Sequence, residues 1–243
     1  MVTALDDAEI GTVLVVTAHP DDVDFGAAGT IAGFTDKGIR VVYCVVTDGD
    51  AGGFDRELDN GGMAALRRTE QTEAAKVVGV EDLRFLGYKD GTVEPTLPLR
   101  RDIARVIRQV RPDRVITSHP ERNYLRMGPS HPDHRAVGGA TLDAVYPDAR
   151  NPYAFPELLA EEGLAAWSAR EVWLTGGQAN NHYVDVTATL DRKFQALRAH
   201  VSQTSHMDDA LEGFVKGWLA MNAKAAGLPE GAYAEAFQVV PTA

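Results

Sequence analysis

With one cysteine in 243 residues, no disulfide can form within the chain. That cysteine, Cys44, sits inside the apolar run Val41-Val42-Tyr43-Cys44-Val45-Val46. It reads as a small buried hydrophobe rather than a nucleophile. No apolar stretch is long enough to span a bilayer, so no membrane association is expected. No secretory leader is read, because Asp6, Asp7 and Glu9 precede a short first apolar run, and a cytoplasmic location is the expectation. Basic residues are scarce: 24 Lys and Arg against 35 Asp and Glu give a net charge of -11. Phosphate surfaces are bound by clustered cations, so this balance argues against nucleic acid or an anionic membrane as partner. It leaves room for a small pocket holding one or two cations. There is no internal repeat and no low-complexity linker, and no phosphate-binding glycine fingerprint follows the first strand. At 44% hydrophobic and 24% charged residues the composition is that of an ordinary globular protein, and the length suits one α/β domain over 1–243.

Strand-like runs alternate with helical patterns, which predicts an α/β, Rossmann-like, mostly parallel sheet with helices on both faces. Strands are expected at Thr12 to Thr17, Arg40 to Thr47, Leu83 to Leu86, Arg114 to Thr117, Glu171 to Thr175 and His182 to Val186. Helices are expected from Phe25 to Lys37, over the pattern Leu66 to Val78 before Gly79, from Leu99 to Val110, and from His134 to about Ala144. Two more are expected, Leu190 to Val201 and Asp208 to Ala226. A Gly-rich loop covers Asp48 to Gly62, and a long polar loop covers Ser118 to Ser130. A structureless loop of that length within a compact domain is usually functional or disordered.

The chemistry concentrates in two short clusters, His19-Pro20-Asp21-Asp22 after the first strand and His131-Pro132-Asp133-His134 beyond the fourth. Ligands of open α/β sheets bind outside the carboxyl ends of the strands, and both clusters fall on that side. His19 and Asp22 are three residues apart across a strand-to-helix turn, and His134 can join them from the second loop. Together they form a His-Asp-His set suited to a divalent ion, with Zn2+ favoured and iron, manganese or cobalt also compatible. Asp21, next to a ligand but not itself one, becomes the candidate general base, which with an open metal site makes the apparatus of metal-assisted hydrolysis. His131 is a candidate for stabilising an oxyanion or protonating a leaving amine, and Asp133 for holding the His131 ring and raising its pKa. The plainer alternatives are helix caps: Asp22 or Asp24 for one helix, Asp133 for the next. Arg67 and Arg68 compete with a solvated charged face, Asp48 with a turn residue, and His182, His200 and His206 with structural or surface histidines.

These motifs match a known family. Ala18-His19-Pro20-Asp21-Asp22 and His131-Pro132-Asp133-His134 resemble the two signatures of the PIG-L/LmbE-like zinc deacetylases, which remove acetyl groups from N-acetylglucosamine-type sugars. Gly29-Thr30-Ile31 and the Arg67-to-Gly79 helix also fit the pattern. Tyr183-Val184-Asp185-Val186-Thr187 and His200-Val201-Ser202-Gln203 resemble the bacterial branch, which includes enzymes acting on bacillithiol and mycothiol precursors. The resemblance implies zinc on His19, Asp22 and His134, Asp21 as base, and His131 beside the tetrahedral intermediate. It implies that Arg67 contacts substrate hydroxyls and that Asp90 contacts the sugar. Where some relatives carry a tyrosine just before the second signature, this chain has Pro129 and Ser130, and Tyr124 is the nearest tyrosine. The expected partner is a small N-acetyl sugar or sugar conjugate, with a homo-oligomer left open. Two rival readings stand beside this one. The first is an amidase of a larger thiol-sugar conjugate, and the second a non-catalytic metal- or sugar-binding Rossmann-like module.

Overall fold

The structure is a computed structural model describing residues 3–53, 57–207 and 210–242. In chain order its strands are β1 (Thr12–Thr17), β2 (Arg40–Thr47), β3 (Asp82–Tyr88), β4 (Arg114–Ser118), β5 (Glu171–Thr175), β6 (His182–Asp185) and β7 (Ala234–Pro241). The helices are α1 (Asp22–Asp36), α2 (Asn60–Val77), α3 (Leu97–Val110), α4 (Pro132–Asp143), α5 (Glu157–Ala160), α6 (Leu190–Ala199), α7 (Val201–Thr204) and α8 (Ala210–Ala225). One mixed sheet runs β3-β2-β1-β4-β5-β7-β6. Its first five strands are parallel, and β7 pairs antiparallel with both β5 and β6. This is the α/β, Rossmann-like arrangement the alternating pattern predicts.

The central strands read as continuous apolar runs because both faces are covered. On one face Leu14, Val16, Val42 and Cys44 meet Leu99, Ile103 and Ile107 of α3 and Val137 and Ala140 of α4. On the other, Val13, Val15 and Tyr43 meet Ala28, Ile31 and Phe34 of α1 and Ala74 and Ala75 of α2. Cys44 is fully buried, and burial pushes its thiol up to about 12, the behaviour of a packing residue. Among the described residues no helix is long and apolar enough to cross a membrane.

Several elements differ from the sequence reading. Helix α2 begins two turns earlier than the Leu66 pattern suggested. Asp59 caps it by accepting from the Gly62 N–H at 2.7 Å, which absorbs Gly61 and Gly62 into the helix. The helix read as Leu190 to Val201 breaks at His200 (φ -84°, ψ 59°), and a separate turn, α7, follows. The expected start of the last helix at Asp208 lies outside the described residues, and the helix is described from Ala210. Strand β7 has no counterpart in the sequence reading, although it supplies the pairing edge for both β5 and β6.

The same strand carries a buried ion pair that fixes α1. Lys193 on α6 and Glu235 on β7 are both essentially inaccessible and lie 2.7 Å apart. The Lys193 ammonium also donates to the carbonyls of Asp24 and Phe25, while Glu235 accepts from the Gly29 and Thr30 N–H groups. Removing one partner strands the other in a dry interior. Lys193→Met is therefore expected to cost about 3–5 kcal/mol, read as a lower denaturant midpoint in equilibrium unfolding.

Candidate active site and metal centre

In the strand order, the chain leaves β1 toward β2 on one side and returns to β4 on the other, so the β1/β4 border is the topological switch point, where ligands of such sheets bind. His19 follows β1 and His134 lies on the helix after β4. Helix α4 comes in close because Gly138 has no side chain: a Cβ there would stand 2.1 Å from the Ser118 carbonyl oxygen. That approach sets His134, one turn earlier on the same helix, over the end of β1.

Three donor groups converge at this point. His19 Nδ1 lies 3.2 Å from His134 Nε2 and 3.4 Å from Asp22 Oδ2, and His134 Nε2 lies 2.9 Å from Asp22 Oδ1. Ligands about 2.0–2.1 Å from one tetrahedral ion stand about 3.4 Å apart, so two imidazole nitrogens and a carboxylate with these spacings fit a divalent metal. Asp22 does not cap α1 forwards; its Oδ2 instead accepts from the His19 N–H at 2.8 Å, which ties the two donors together.

The far side of His19 is also carboxylate. Its Nε2 lies 3.1 Å from Asp90 Oδ1 and 3.3 Å from Asp133 Oδ2. These acids are buried and already engaged by backbone donors: Ala51 N–H to Asp90, and Gly91 and Val93 N–H to Asp133. Saturated, buried carboxylates on the non-donor nitrogen of a histidine suit holding that ring's orientation. His19 also groups with His131 and His134, and with Asp90 and Asp133, as donor atoms mutually within 4.8 Å. On the Asp22 face the side-chain donors have one another as partners, whereas Asp90 and Asp133 are taken up by backbone N–H groups.

The charges at the site call for a cation. Burial lowers the His19 imidazolium, but Asp22, Asp133 and Asp90 outweigh it and lift the group to about 12. Burial likewise opposes the charge on His134, which Asp22 raises above its usual value. Asp22 itself is held well below the usual carboxylate range by His134 and His19, against its own burial. Two buried carboxylates, Asp90 and Asp133, and the partly buried Asp22 around one imidazole make a position where positive charge is favoured, as a proton or as a metal ion.

Asp21 faces elsewhere. It stands at the N-cap of α1 with φ 89° and makes no side-chain capping bond. A non-glycine residue held in that region carries strain of about 1–3 kcal/mol. Its Oδ2 lies 3.3 Å from Arg67 Nη2. Burial pushes its carboxyl up to about 6, with Arg67 opposing and the Asp22 charge adding to the rise.

The remaining predicted residues are placed as follows. His131 is exposed at the N-cap of α4, its ring centroid 4.9 Å from that of His19, and its Nδ1 accepts from the Asp133 N–H. The expected His131–Asp133 pair is not formed. The turn that opens α4 sends the Asp133 carboxylate inward to His19 and the Gly91–Val93 backbone, and His131, not Asp133, caps the helix. The expected rise in the His131 pKa is also reversed. Burial, with the neighbouring His19 and His134, holds it below the usual histidine value, and Asp133 offsets this only in part. Arg67 is 4% exposed rather than presented to solvent. It donates to the carbonyls of Pro20 and Gly49, and only its Nε has no partner among the described residues. Gly49 (φ +67°) makes room for it, since a Cβ there would meet its guanidinium at 2.4 Å. Arg68 and Asp48 form a surface pair at 2.7 Å, and Tyr124 is exposed on the polar loop. His182 packs against Trp173, away from the site. His200 is fully buried against Asp24. The sequence reading assigned no role to Gln71 and Asp24 at the site, yet both reach the Asp21 backbone, one directly and one through the other.

Comparison with known proteins agrees with this architecture. The model of the PIG-L family, GlcNAc-PI de-N-acetylase, matches residues 14–145. The chain is 33% identical to a diacetylchitobiose deacetylase of Thermococcus kodakarensis, over 80% of this chain and 71% of the relative. It is 35% identical to a probable N-acetyl-alpha-D-glucosaminyl L-malate deacetylase 2 of Bacillus cereus, over 80% of this chain and 84% of that one. The solved N,N'-diacetylchitobiose deacetylase of Pyrococcus horikoshii, complexed with its inhibitor MPG, superposes with a TM-score of 0.87 at 30% identity, covering 96% of this chain and 85% of the other. Fold, matched segment and relatives agree: the chain belongs to the PIG-L, GlcNAc-PI de-N-acetylase, family.

Proposed function

We propose that this protein is a metal-dependent N-deacetylase of a small N-acetylglucosaminyl-type substrate. The observation that carries the reading is the split between adjacent carboxylates. Asp22 faces both imidazoles, while Asp21 is turned by its positive φ toward Arg67 and is pushed up to about 6. One acid is suited to holding an ion and the other to moving a proton near neutral pH. The relatives' printed activities, on diacetylchitobiose and on N-acetylglucosaminyl malate, support an N-acetyl amino sugar as substrate.

His19, Asp22 and His134 would hold the ion, zinc being the best match to two nitrogens and a carboxylate. When bound, it supplies Lewis acidity toward water and the amide carbonyl. Asp21 takes a proton from the attacking water on its carboxylate. The same carboxyl group, then protonated, returns it to the departing amine, so that acetate and a free amino sugar leave. His131, exposed above the donor face, is placed to donate from Nε2 to the oxyanion, since its Nδ1 is occupied as an acceptor. Asp133 and Asp90 hold the His19 ring with Nδ1 toward Asp22 and His134.

Amine release from N-acetylglucosamine, diacetylchitobiose, N-acetylglucosaminyl malate and a thiol-sugar conjugate, using metal-stripped and zinc-reloaded protein, tests the reading. Release from the N-acetyl sugars that depends on added metal is expected. Absence of release from every substrate by stoichiometrically loaded protein overturns it, and release from the conjugate alone favours the amidase.

Two variants separate the supporting roles. His131→Ala is expected to keep its metal and lower kcat by about 10²–10³-fold, the cost of an oxyanion donor. Asp133→Asn leaves the His19 ring less firmly held and is expected to weaken metal affinity by about 10–100-fold, with little change in kcat once loaded. Competition with a chelator reads the second effect and steady-state kinetics the first.

A further inference from the structure

The positive φ of Asp21 needs something to hold it, and helix α2 supplies the hold. The Pro20–Asp21 peptide has one carbonyl and one N–H. Arg67 Nη2 donates to that carbonyl at 2.5 Å, and Gln71 Oε1 accepts from that N–H at 2.8 Å. Arg67 and Gln71 are four residues apart on α2, hence on the same face. On the other side of Asp21, its own carbonyl is fixed as an acceptor at the start of α1, from Asp24 N–H at 2.9 Å and Phe25 N–H at 3.0 Å. With the peptide before it and the carbonyl after it both held, the dihedral between them has no freedom to relax.

Resting on the deacetylase reading and deepening it, we infer that Gln71 is a positioning residue for the general base Asp21, clamping with Arg67 the peptide that presents it, and that Asp24 and His200 hold Gln71 in register. The Gln71 side-chain N–H donates to Asp24 Oδ2 at 2.9 Å, which turns its oxygen toward the Asp21 N–H. His200 Nε2 lies 2.8 Å from the same Asp24 oxygen and donates to it. Gln71, Asp24 and His200 all have zero exposure. In a dry interior no solvent replaces a lost bond, so each link constrains the next. The chain breaks at His200, between α6 and α7, where its ring turns in toward α1 and α2. None of Gln71, Asp24 or His200 supplies a donor to the His19–Asp22–His134 face; Gln71 reaches Asp21 through its backbone N–H, and because His200→Gln and His200→Phe both lose the His200 charge that lowers the Asp21 carboxyl, the difference between them reads the hydrogen bond alone.

Steady-state kinetics and metal content of zinc-loaded Gln71→Met, His200→Phe and His200→Gln, with thermal unfolding recorded for each, test this. Gln71→Met keeps the volume and removes both bonds. It is expected to lower kcat by about 10–100-fold, with KM and metal stoichiometry within about twofold of the parent. His200→Gln keeps a donor for Asp24 and is expected to stay within about threefold in kcat, whereas His200→Phe falls with Gln71→Met. The double variant Gln71→Met/His200→Phe is expected to be no slower than Gln71→Met/His200→Gln, because the bond that His200 makes reaches Asp21 only through the Gln71 amide. A structural role alone would lower stability or metal content without that kcat-specific, non-additive loss. Unchanged kcat in Gln71→Met, or losses that follow metal content or KM, overturn the inference. Should Gln71→Met fail to fold, equal kcat in His200→Gln and His200→Phe overturns it instead. Wild-type protein that releases no amine overturns the deacetylase reading and this inference with it, while an active wild type beside a fully active Gln71→Met overturns the positioning alone.

Discussion

Asp21→Asn is expected to bind its metal as the parent does and to lose turnover by about 10²–10⁴-fold, the contribution of a positioned general base. The three-donor face is built from His19, Asp22 and His134, so amidation of Asp21 leaves its geometry intact. What disappears is a carboxyl held near neutral pH by burial and by its charged neighbour Asp22, against the pull of Arg67. Substrate affinity should change little, which places the loss in kcat. Stability is expected to hold or rise. The substitution removes a like charge beside Asp22, and asparagine tolerates positive φ better than most residues. Metal analysis, kcat and a melting curve on one preparation check all three. Near-normal turnover by the metal-loaded variant would hand the proton to another group.

How far the sequence leads depends on whether a signal is local. Strands β1 and β2 are read with their observed ends because a continuous apolar run between polar residues belongs to a doubly covered strand. The two His-Asp clusters are legible because each is compact and follows a strand. Where the partner lies far along the chain, the reading stops. Sequence proximity matches Asp133 with the nearby His131, yet the helix turn sends its carboxylate to His19, 114 residues earlier. The burial of Arg67 is equally invisible in the sequence, because it is the Gly49 turn that opens the slot its guanidinium fills. Gln71, Asp24 and His200 form no motif. They meet only because α1, α2 and α6 pack together on the same side of the sheet. Strand β7 is not legible as a strand because its run holds Glu235 and Gln238, and the buried Glu235 makes sense only once Lys193 stands beside it.

His19→Ala is expected to abolish metal binding and activity together, a larger loss than that of Asp21→Asn. His19 is the residue every part of the centre shares. Its Nδ1 faces Asp22 and His134, and its Nε2 faces Asp90 and Asp133. The convergent Asp22 face and both other three-donor groupings found among the described residues include it. Two donors, Asp22 and His134, remain in the variant, too few for a structural or catalytic ion of the zinc type. The variant also loses the cation that Asp22, Asp90 and Asp133 share in the metal-free protein, where they lift the imidazole to about 12. Asp90 and Asp133 keep their backbone N–H partners but face each other across the space the ring filled. Breaking a buried ion pair from one side costs about 3–5 kcal/mol, so the variant should also unfold at lower denaturant than the parent's metal-free form. The comparison with metal-free parent matters, because it separates loss of the ring from loss of the ion. Elemental analysis after dialysis with excess zinc, beside unfolding of both metal-free proteins, gives the two readings. A stoichiometric metal retained by His19→Ala would mean that the ion sits on a set of donors other than His19, Asp22 and His134, and the proposed centre would fall with it.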